Sequence, residues 1–331
     1  EVFTNYYAYS CGLTGNHDMS GLSGLGGLFY VGDNPNLTGI TNPVSAEVFS
    51  FYNAETCDLT GNLDMSGLSG LGGLFHVNTN SGLTSITHTA STEVFNQYYA
   101  FDCDLTGNHD MSGLSGLGGS FNLLGNVNLT GITNPVSAEV FSSYQASSCD
   151  LTGNLDMSML PGLGGLFRVD FNPNLTSITH TASTETFSDY RANSCGLTGN
   201  HDMSMLPGLG GQFYIQDNPL LTSITHTTST ETFSLYWAYL CGLTGNHDMS
   251  MFPNLGGNFN VSLNSNLTGI THTASTEVFS DYNVSFCDLT GNHDMSMLPG
   301  LGGNFQIWFN SALTGITHTA STEIFSFYSV I

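Results

Sequence analysis

The chain has 331 residues, 40% of them apolar and 8% charged, with 26 acids against two arginines, a formal charge of −24. That much apolar material builds a core and excludes a disordered tail, while the acidic excess repels phosphate backbones and anionic lipid, so neither nucleic acid nor a membrane surface is an expected partner. No apolar run reaches the length of a membrane span, and the chain opens on Glu1 rather than on a methionine, which leaves room for a leader or upstream domains.

The first element of the chain sets the pattern for the rest. The E-[VTI]-F phrase at Glu1 returns at Glu47, Glu93, Glu139, Glu185, Glu231, Glu277 and Glu323, a step of 46 with no insertion. Residues 1–331 therefore read as one solenoid domain of seven 46-residue units and a partial eighth. Each unit halves again: Phe259, Val261 and Asn264 are answered 23 residues on by Tyr282, Val284 and Cys287, then by Phe305, Ile307 and Asn310. Apolar-x-apolar is a strand whose first and third side chains point inward and whose second points out. Parallel stacking of one such strand per 23 residues buries each inward pair between the turns above and below. Leu267 and Ile270 of L-T-x-I should then turn back into the core. In Asn42-Pro43-Val44-Ser45-Ala46-Glu47 the Asn then Pro reads as a helix cap and first turn, predicting a helix of one to two turns. The other half returns through L-T-G-N-x-D-M-S and L-G-G, too glycine-rich for a helix.

With these copies aligned, the chain resembles the leucine-rich-repeat family, whose signature is LxxLxLxxN/C. The phrase Cys149 to Ser158, C-D-L-T-G-N-L-D-M-S, is also similar to the L-T-G-x-I-P return of plant-type repeats, with Leu or His for the usual Ile and Asp for the Pro. The resemblance covers the whole chain. It implies an α/β right-handed solenoid with a parallel sheet of about fifteen strands on the concave face, and short helices or irregular returns on the convex face. The structural ladder is expected at Asn34, Cys57, Asn80, Cys103, Asn126, Cys149, Asn172, Cys195, Asn218, Cys241, Asn264, Cys287 and Asn310, where an amide can satisfy buried backbone groups of neighbouring turns. Neither end carries an atypical capping repeat, so the chain is expected to be a segment of a longer array, or to meet neighbouring subunits at its ends.

Several ladders imitate chemistry. The seven cysteines recur once per unit, roughly 10 Å apart, too far for disulfides. Buried free thiols in place of Asn are the expectation. His-Asp-x-Ser at His17, Asp18 and Ser20 recurs at His109, His201, His247 and His293, with Leu63 and Leu155 in the same slot. A catalytic constellation is assembled once from distant residues, so this is a scaffold position and no enzyme is expected. The aspartates beside it (Asp18, Asp64, Asp110, Asp156, Asp202, Asp248, Asp294) supply one carboxylate per ~10 Å, too few oxygens for Ca²⁺, and loop amides are their expected partners. Neither metal nor cofactor is implied. Thr-x-Thr at Thr87 and Thr89 suggests an ice face, but it recurs only on alternate turns and is interrupted at Pro43 and Pro135. Asn36, Asn128, Asn174, Asn266 and Asn283 sit in N-x-[ST] sequons, relevant only in a eukaryotic secretory pathway.

The copies also show where the sequence varies. The frame is nearly constant, whereas two outward columns differ from turn to turn. These hold the candidate ligand-binding residues Tyr7, Tyr9, Tyr30, His76, Tyr99, Phe101, Arg168, Asp170, Arg191, Tyr214, Trp237, Tyr239 and Trp308. Rigid rings mixed with small hydrogen-bonding residues are the alphabet of a recognition surface. Arg168 and Arg191 fall on consecutive strands in one column, with Asp170 two residues along and Tyr214, Trp237 and Tyr239 beyond. That arrangement predicts an anion clamp beside a stacking platform, while Trp308, Phe309 and Phe286 make a second aromatic cluster suited to subunit contact. The expectation is a non-enzymatic adhesion or receptor-binding solenoid on a cell or virion surface, with a glycan or a protein as partner. A structural subunit of a fibre or sheath is the alternative. Asn42-Pro43-Val44-Ser45-Ala46 reappears only from Asn134, which points to unequal recombination among copies.

Overall fold

A computed structural model describes residues 2–321 and 323–330. The backbone forms two compact units, Glu1–Leu163 and Gly164–Ile331. In the first, seven face strands lie side by side in chain order: Phe3–Tyr7, Leu25–Tyr30, Phe49–Asn53, Leu71–His76, Val94–Tyr99, Gly116–Asn122 and Phe141–Gln145. In the second there are eight: Gly165–Arg168, Phe187–Arg191, Leu209–Tyr214, Phe233–Trp237, Leu255–Asn260, Phe279–Asn283, Leu301–Gln306 and Phe325–Ser329. Every pairing within a unit is parallel, with partners 22 residues apart at the strand start and 23 apart beyond a bulge, such as Phe75 opposite Tyr98 and Tyr190 opposite Phe213. The fold is a parallel β-solenoid of 23-residue turns.

The inward residues follow from the two halves of the repeat. Tyr and Phe alternate along the core, so their rings stack into a spine within each unit. Phe29–Tyr52 centroids are 4.6 Å apart and Phe75–Tyr98 4.9 Å in the first; Phe213–Tyr236 are 5.0 Å apart and Tyr282–Phe305 5.5 Å in the second. Such pairs add to the ~2–3 kcal/mol gained from burying each large ring. The second inward position alternates Ala with Val, Leu or Ile as far as Val261, and from Val31 to Ile307 it is fully buried too. Leu267 and Ile270 also lie in the core.

The strand starts earlier than the apolar-x-apolar core. L-G-G opens the face strand instead of belonging to the return, and the second glycine carries a bulge. At Gly73 the register slips before Leu74, φ is 61°, and a Cβ would overlap the Ser50 carbonyl of the preceding turn. Only glycine fits there.

The returns hold no helix among the described residues. The helix expected from Asn42 is absent because the segment's polar groups bond sideways instead of along their own backbone. Asn42 Nδ2 donates to the Asp64 carbonyl (3.0 Å) and its Oδ1 accepts from the Tyr52 hydroxyl (3.1 Å). The Ser45 amide donates to the Gly67 carbonyl (2.9 Å) and its hydroxyl to the Leu25 carbonyl (2.7 Å). With the donors and acceptors spoken for by adjacent turns, an i to i+4 ladder has nothing to gain. L-T-G-N-x-D, expected as a glycine-rich return without a helix, and L-T-x-I-T are short strands that pair in twos, for example Thr60–Asp64 with Gly82–Thr87 and Thr198–Asp202 with Leu220–Thr225.

Candidate functional site

The ladders that resembled chemistry resolve into core and turn roles. Asn80 accepts from the Leu59 amide (3.0 Å) and donates to the Ala54 and Val77 carbonyls (2.9 and 2.7 Å), and Asn218 repeats this in the second unit. On alternate turns a thiol stands there: Cys57 donates to the Val31 carbonyl (3.5 Å) and Cys195 to that of Val169 (3.3 Å). All seven cysteines are free, and all but Cys11 are buried. Burial pushes the thiols of Cys149, Cys195 and Cys241 up to about 12, so the nucleophilic thiolate is suppressed.

The three residues of His-Asp-x-Ser part company. His109 is buried against the Tyr98 hydroxyl (2.8 Å), while exposed Asp110 accepts from the Ser112 amide (2.9 Å) and is lowered by it. Tyr98 meets a second imidazole at His88 (2.8 Å), giving a buried His-Tyr-His triad. The same triad forms at Tyr190, Tyr236 and Tyr282. Where the slot holds Leu63 or Leu155, the second histidine is replaced by Asn42 or Asn134, each bonded to its tyrosine. The two positions change together because one hydroxyl between them needs a partner. Among the described residues no three His, Cys, Asp or Glu side chains are grouped to hold a metal.

The face carries three outward columns. Two of them, containing Tyr7 and Tyr9, are the predicted ones; the third, unpredicted, precedes them and runs through Asn5, Leu28, Phe51, Leu74, Gln97, Ser120 and Ser143 in the first unit and Leu166, Asp189, Gln212, Leu235, Asn258, Asp281, Asn304 and Phe327 in the second. Its variability from copy to copy was the clue. In the last column, Asn78, Asp170, Asn193, Gln216, Ser262 and Ser285 are buried and form a floor.

In the first unit the predicted aromatics form one track, joined through Phe51 of the unpredicted column. Tyr9 packs on Tyr30 (4.9 Å), Tyr30 on Phe51 (5.4 Å), Phe51 on His76 (5.0 Å), and His76 lies flat on Tyr99 (4.7 Å, 16°), which reaches Phe101 (6.1 Å). Tyr7 lies 6.3 Å from Tyr30 and is 64% exposed. Cross-strand bonds fix the track: His76 Nε2 to Gln97 (3.0 Å) and the Tyr99 hydroxyl to Ser120 (3.1 Å).

In the second unit the two arginines share a carboxylate, and it is Asp189. Arg168 donates through Nε (3.0 Å) and Nη2 to Asp189 Oδ2, and Arg191 through Nε to Oδ1 (2.8 Å). Asp189 is 4% exposed, and its bonds raise Arg191 further. Asp170, expected beside Arg168, is buried and adds its charge to the same group. The clamp is thus largely neutralised from within, leaving outer guanidinium N–H groups of the half-buried arginines toward solvent. Arg191 also lies 4.4 Å over the Tyr214 ring, Tyr214 meets Trp237 edge-on (5.4 Å), Trp237 reaches Tyr239 (5.7 Å), and Trp237 Nε1 donates to Asn258 (2.7 Å). Trp308 stands apart from these, 6.4 Å from Phe286, itself stacked on Phe309 (4.6 Å).

Beside the floor runs a column with positive φ at every turn. It holds Ser, Asp, Thr or Gly in the first unit; in the second, Ser194 and Asp217 are joined by Phe171, Leu240, Leu263, Phe286 and Phe309, these five with φ of 52–59° and 42–55% exposure. Bulky L-residues adopt this region at a cost.

No family profile matches the sequence. No curated protein matches it either. Among solved structures, a leucine-rich repeat protein from Bacteroides ovatus ATCC 8483 aligns over 93% of this chain and 76% of its own, at 14% identity and a TM-score of 0.38. A 23-residue period, one parallel strand per turn and an Asn/Cys rung closing each strand make this chain a parallel β-solenoid whose repeat resembles the leucine-rich-repeat signature.

Proposed function

We propose that the chain is a non-enzymatic recognition solenoid that binds a glycan or a protein on a target surface through its face columns, outside a cell or on a virus particle. The supporting observation is that outward side chains differ from turn to turn on a constant frame, yet neighbours hold them in place, as Gln97 holds His76 and Asn258 holds Trp237. Rings positioned before binding lose little conformational freedom on contact. A lattice protein meeting copies of itself would repeat its contacts on every unit instead.

The test is a combined glycan and surface-protein binding screen. Intact chain is compared with Trp237→Ser, Tyr99→Ser and an Arg168→Ala/Asp189→Ala/Arg191→Ala triple. Asp189 is included because removing the arginines alone would leave a buried, unpaired carboxylate and confound binding with folding. Selective binding that weakens at least about tenfold in one of these variants is expected, as for the central residues of an interface. No binding by the intact chain, with filaments or sheets in electron micrographs of the same sample, would replace this reading with a structural role.

A further inference from the structure

Two aspartates occupy the same place in the repeat with opposite fates. Phe-Ser-Asp-Tyr occurs at Phe187–Tyr190 and again 92 residues on at Phe279–Tyr282, two whole units apart. Asp189 and Asp281 both lie in the first outward column, the former between Leu166 and Gln212, the latter between Asn258 and Asn304. Asp189 is filled by Arg168 from the preceding strand and by Arg191 from its own. At Asp281 the corresponding residues are Asn260 and Asn283, opposite each other in register.

Neither amide serves the carboxylate. Asn260 Oδ1 accepts from the Ser262 amide and Asn283 Oδ1 from the Ser285 amide, both at 3.0 Å, so each side chain is turned along its own strand. The column neighbours are engaged elsewhere, Asn258 by Trp237 and Asn304 by Ser326 (2.9 Å). Among the described residues no hydrogen bond reaches Asp281, and its Oδ1 is buried without a partner. Burial alone holds its carboxyl above the ordinary range. The chain has no cation to spare, since its two arginines are committed at Asp189.

A half-buried carboxylate with no donor is costly, and the repeat itself shows what relieves it. A planar guanidinium fits between adjacent strands at Asp189, where two bind one carboxylate side by side. We propose that Asp281 is the receptor for a guanidinium or ammonium side chain of a partner protein, seated between Asn260 and Asn283 as Arg168 and Arg191 are seated at Asp189. This rests on the recognition reading and names the chemistry of one contact within it. The charge of −24 draws such a group in. Exposed Leu263 and Phe286, three residues past the ends of the same strands, offer apolar surface to the residues around it. A lone carboxylate supplies too few oxygens for a metal ion.

The experiment uses the full chain against an array of decapeptides that mix Arg with apolar residues, each printed beside a twin in which citrulline replaces Arg. The intact chain should retain a subset, with the citrulline twins at least about tenfold weaker, and Asp281→Asn should lose the same subset by a similar factor. Asp281→Asn should also melt no lower than the parent, because it removes an unpaired charge and no bond. Asn283→Arg plants a guanidinium where Arg191 stands over Asp189. It should raise the melting temperature and block the peptides. Equal retention of peptides and twins, a lower melting temperature for Asp281→Asn, or no gain from Asn283→Arg would each overturn the proposal. If ligands still bind elsewhere on the face, the recognition reading survives that failure; a blank ligand screen as well would remove both.

Discussion

At the scale of single residues, the tyrosine hydroxyls of the core decide how the protein responds to acid. A hydroxyl between two imidazoles donates to one Nε2 and accepts from the other. The Nδ1 atoms of His88, His180, His226 and His272 are buried without a partner, so a proton added there gains nothing. Burial accordingly drives His88, His180 and His272 down to about 3 and His109, His201, His247 and His293 to about 4, with His226 also well below its ordinary value. Each of these histidines has a folded pKa below its unfolded value near 6.5, so the unfolded chain binds the extra proton. Stability is complete above pH ~6.5 and falls as pH drops toward 4, by up to about 1.4 kcal/mol per pH unit for each histidine. Such a slope exhausts a marginal stability before titration is complete. Melting temperature followed by circular dichroism should therefore collapse between pH ~6 and 4. His88→Asn with His109→Leu, which copies the pair already present around Tyr52 and Tyr144, should make the fall shallower. A second residue-scale prediction concerns positive φ. Leu263 lies at 59° in the column where Gly125 lies at 80°. Leu263→Gly should raise the stability by roughly 1 kcal/mol in urea denaturation. Loss of stability would mean that the exposed leucine contributes packing beyond its strain.

At the scale of the element, each turn is closed by a rung, and the rungs are unequal. Replacing Asn80 by Ala strands the Leu59 amide and the Ala54 carbonyl in the core and leaves the Val77 carbonyl with the Cys103 thiol alone. That should cost at least about 2–3 kcal/mol, with a correspondingly lower urea midpoint. Strands and rungs were legible because period two and period 23 are written directly in Phe259, Val261 and Asn264. The return from Asn42 was misjudged because a helix cap and a lateral bond use the same side chain. What separates them is the Tyr52 hydroxyl and the Asp64 carbonyl on neighbouring strands, which local spacing cannot display. Asp189 escaped notice for a related reason. Counting the alternation from the first inward residue toward the C-terminus reaches the columns of Tyr7 and Tyr9 and leaves the column on its other side unread. Arg168 and Arg191 were placed side by side correctly, but the group between them comes from that unread column.

At the scale of the whole molecule, the formal charge of −24 leaves acidic groups facing one another across solvent, with 26 acids and two arginines that are both paired. Self-repulsion of this kind weakens the compact state and is screened by salt. Raising sodium chloride from about 0.01 to 0.15 M shortens the screening length from about 30 to about 8 Å and should raise the melting temperature at pH 7, while weakening capture of any cationic partner. A fall in melting temperature would show that the surface acids are engaged in favourable pairs instead. The return strands add a different constraint. They pair only in twos, each pair closing inside one 46-residue unit, as Thr60–Asp64 does with Gly82–Thr87 and Thr244–Met249 with Asn266–His272. Losing 23 residues would strand one member of a pair and set Tyr on Tyr or Phe on Phe in the spine; losing 46 breaks neither pattern. Slippage between gene copies can thus lengthen or shorten the protein only in whole double turns, and each event adds or removes a fresh strip of outward side chains without touching the frame that carries it.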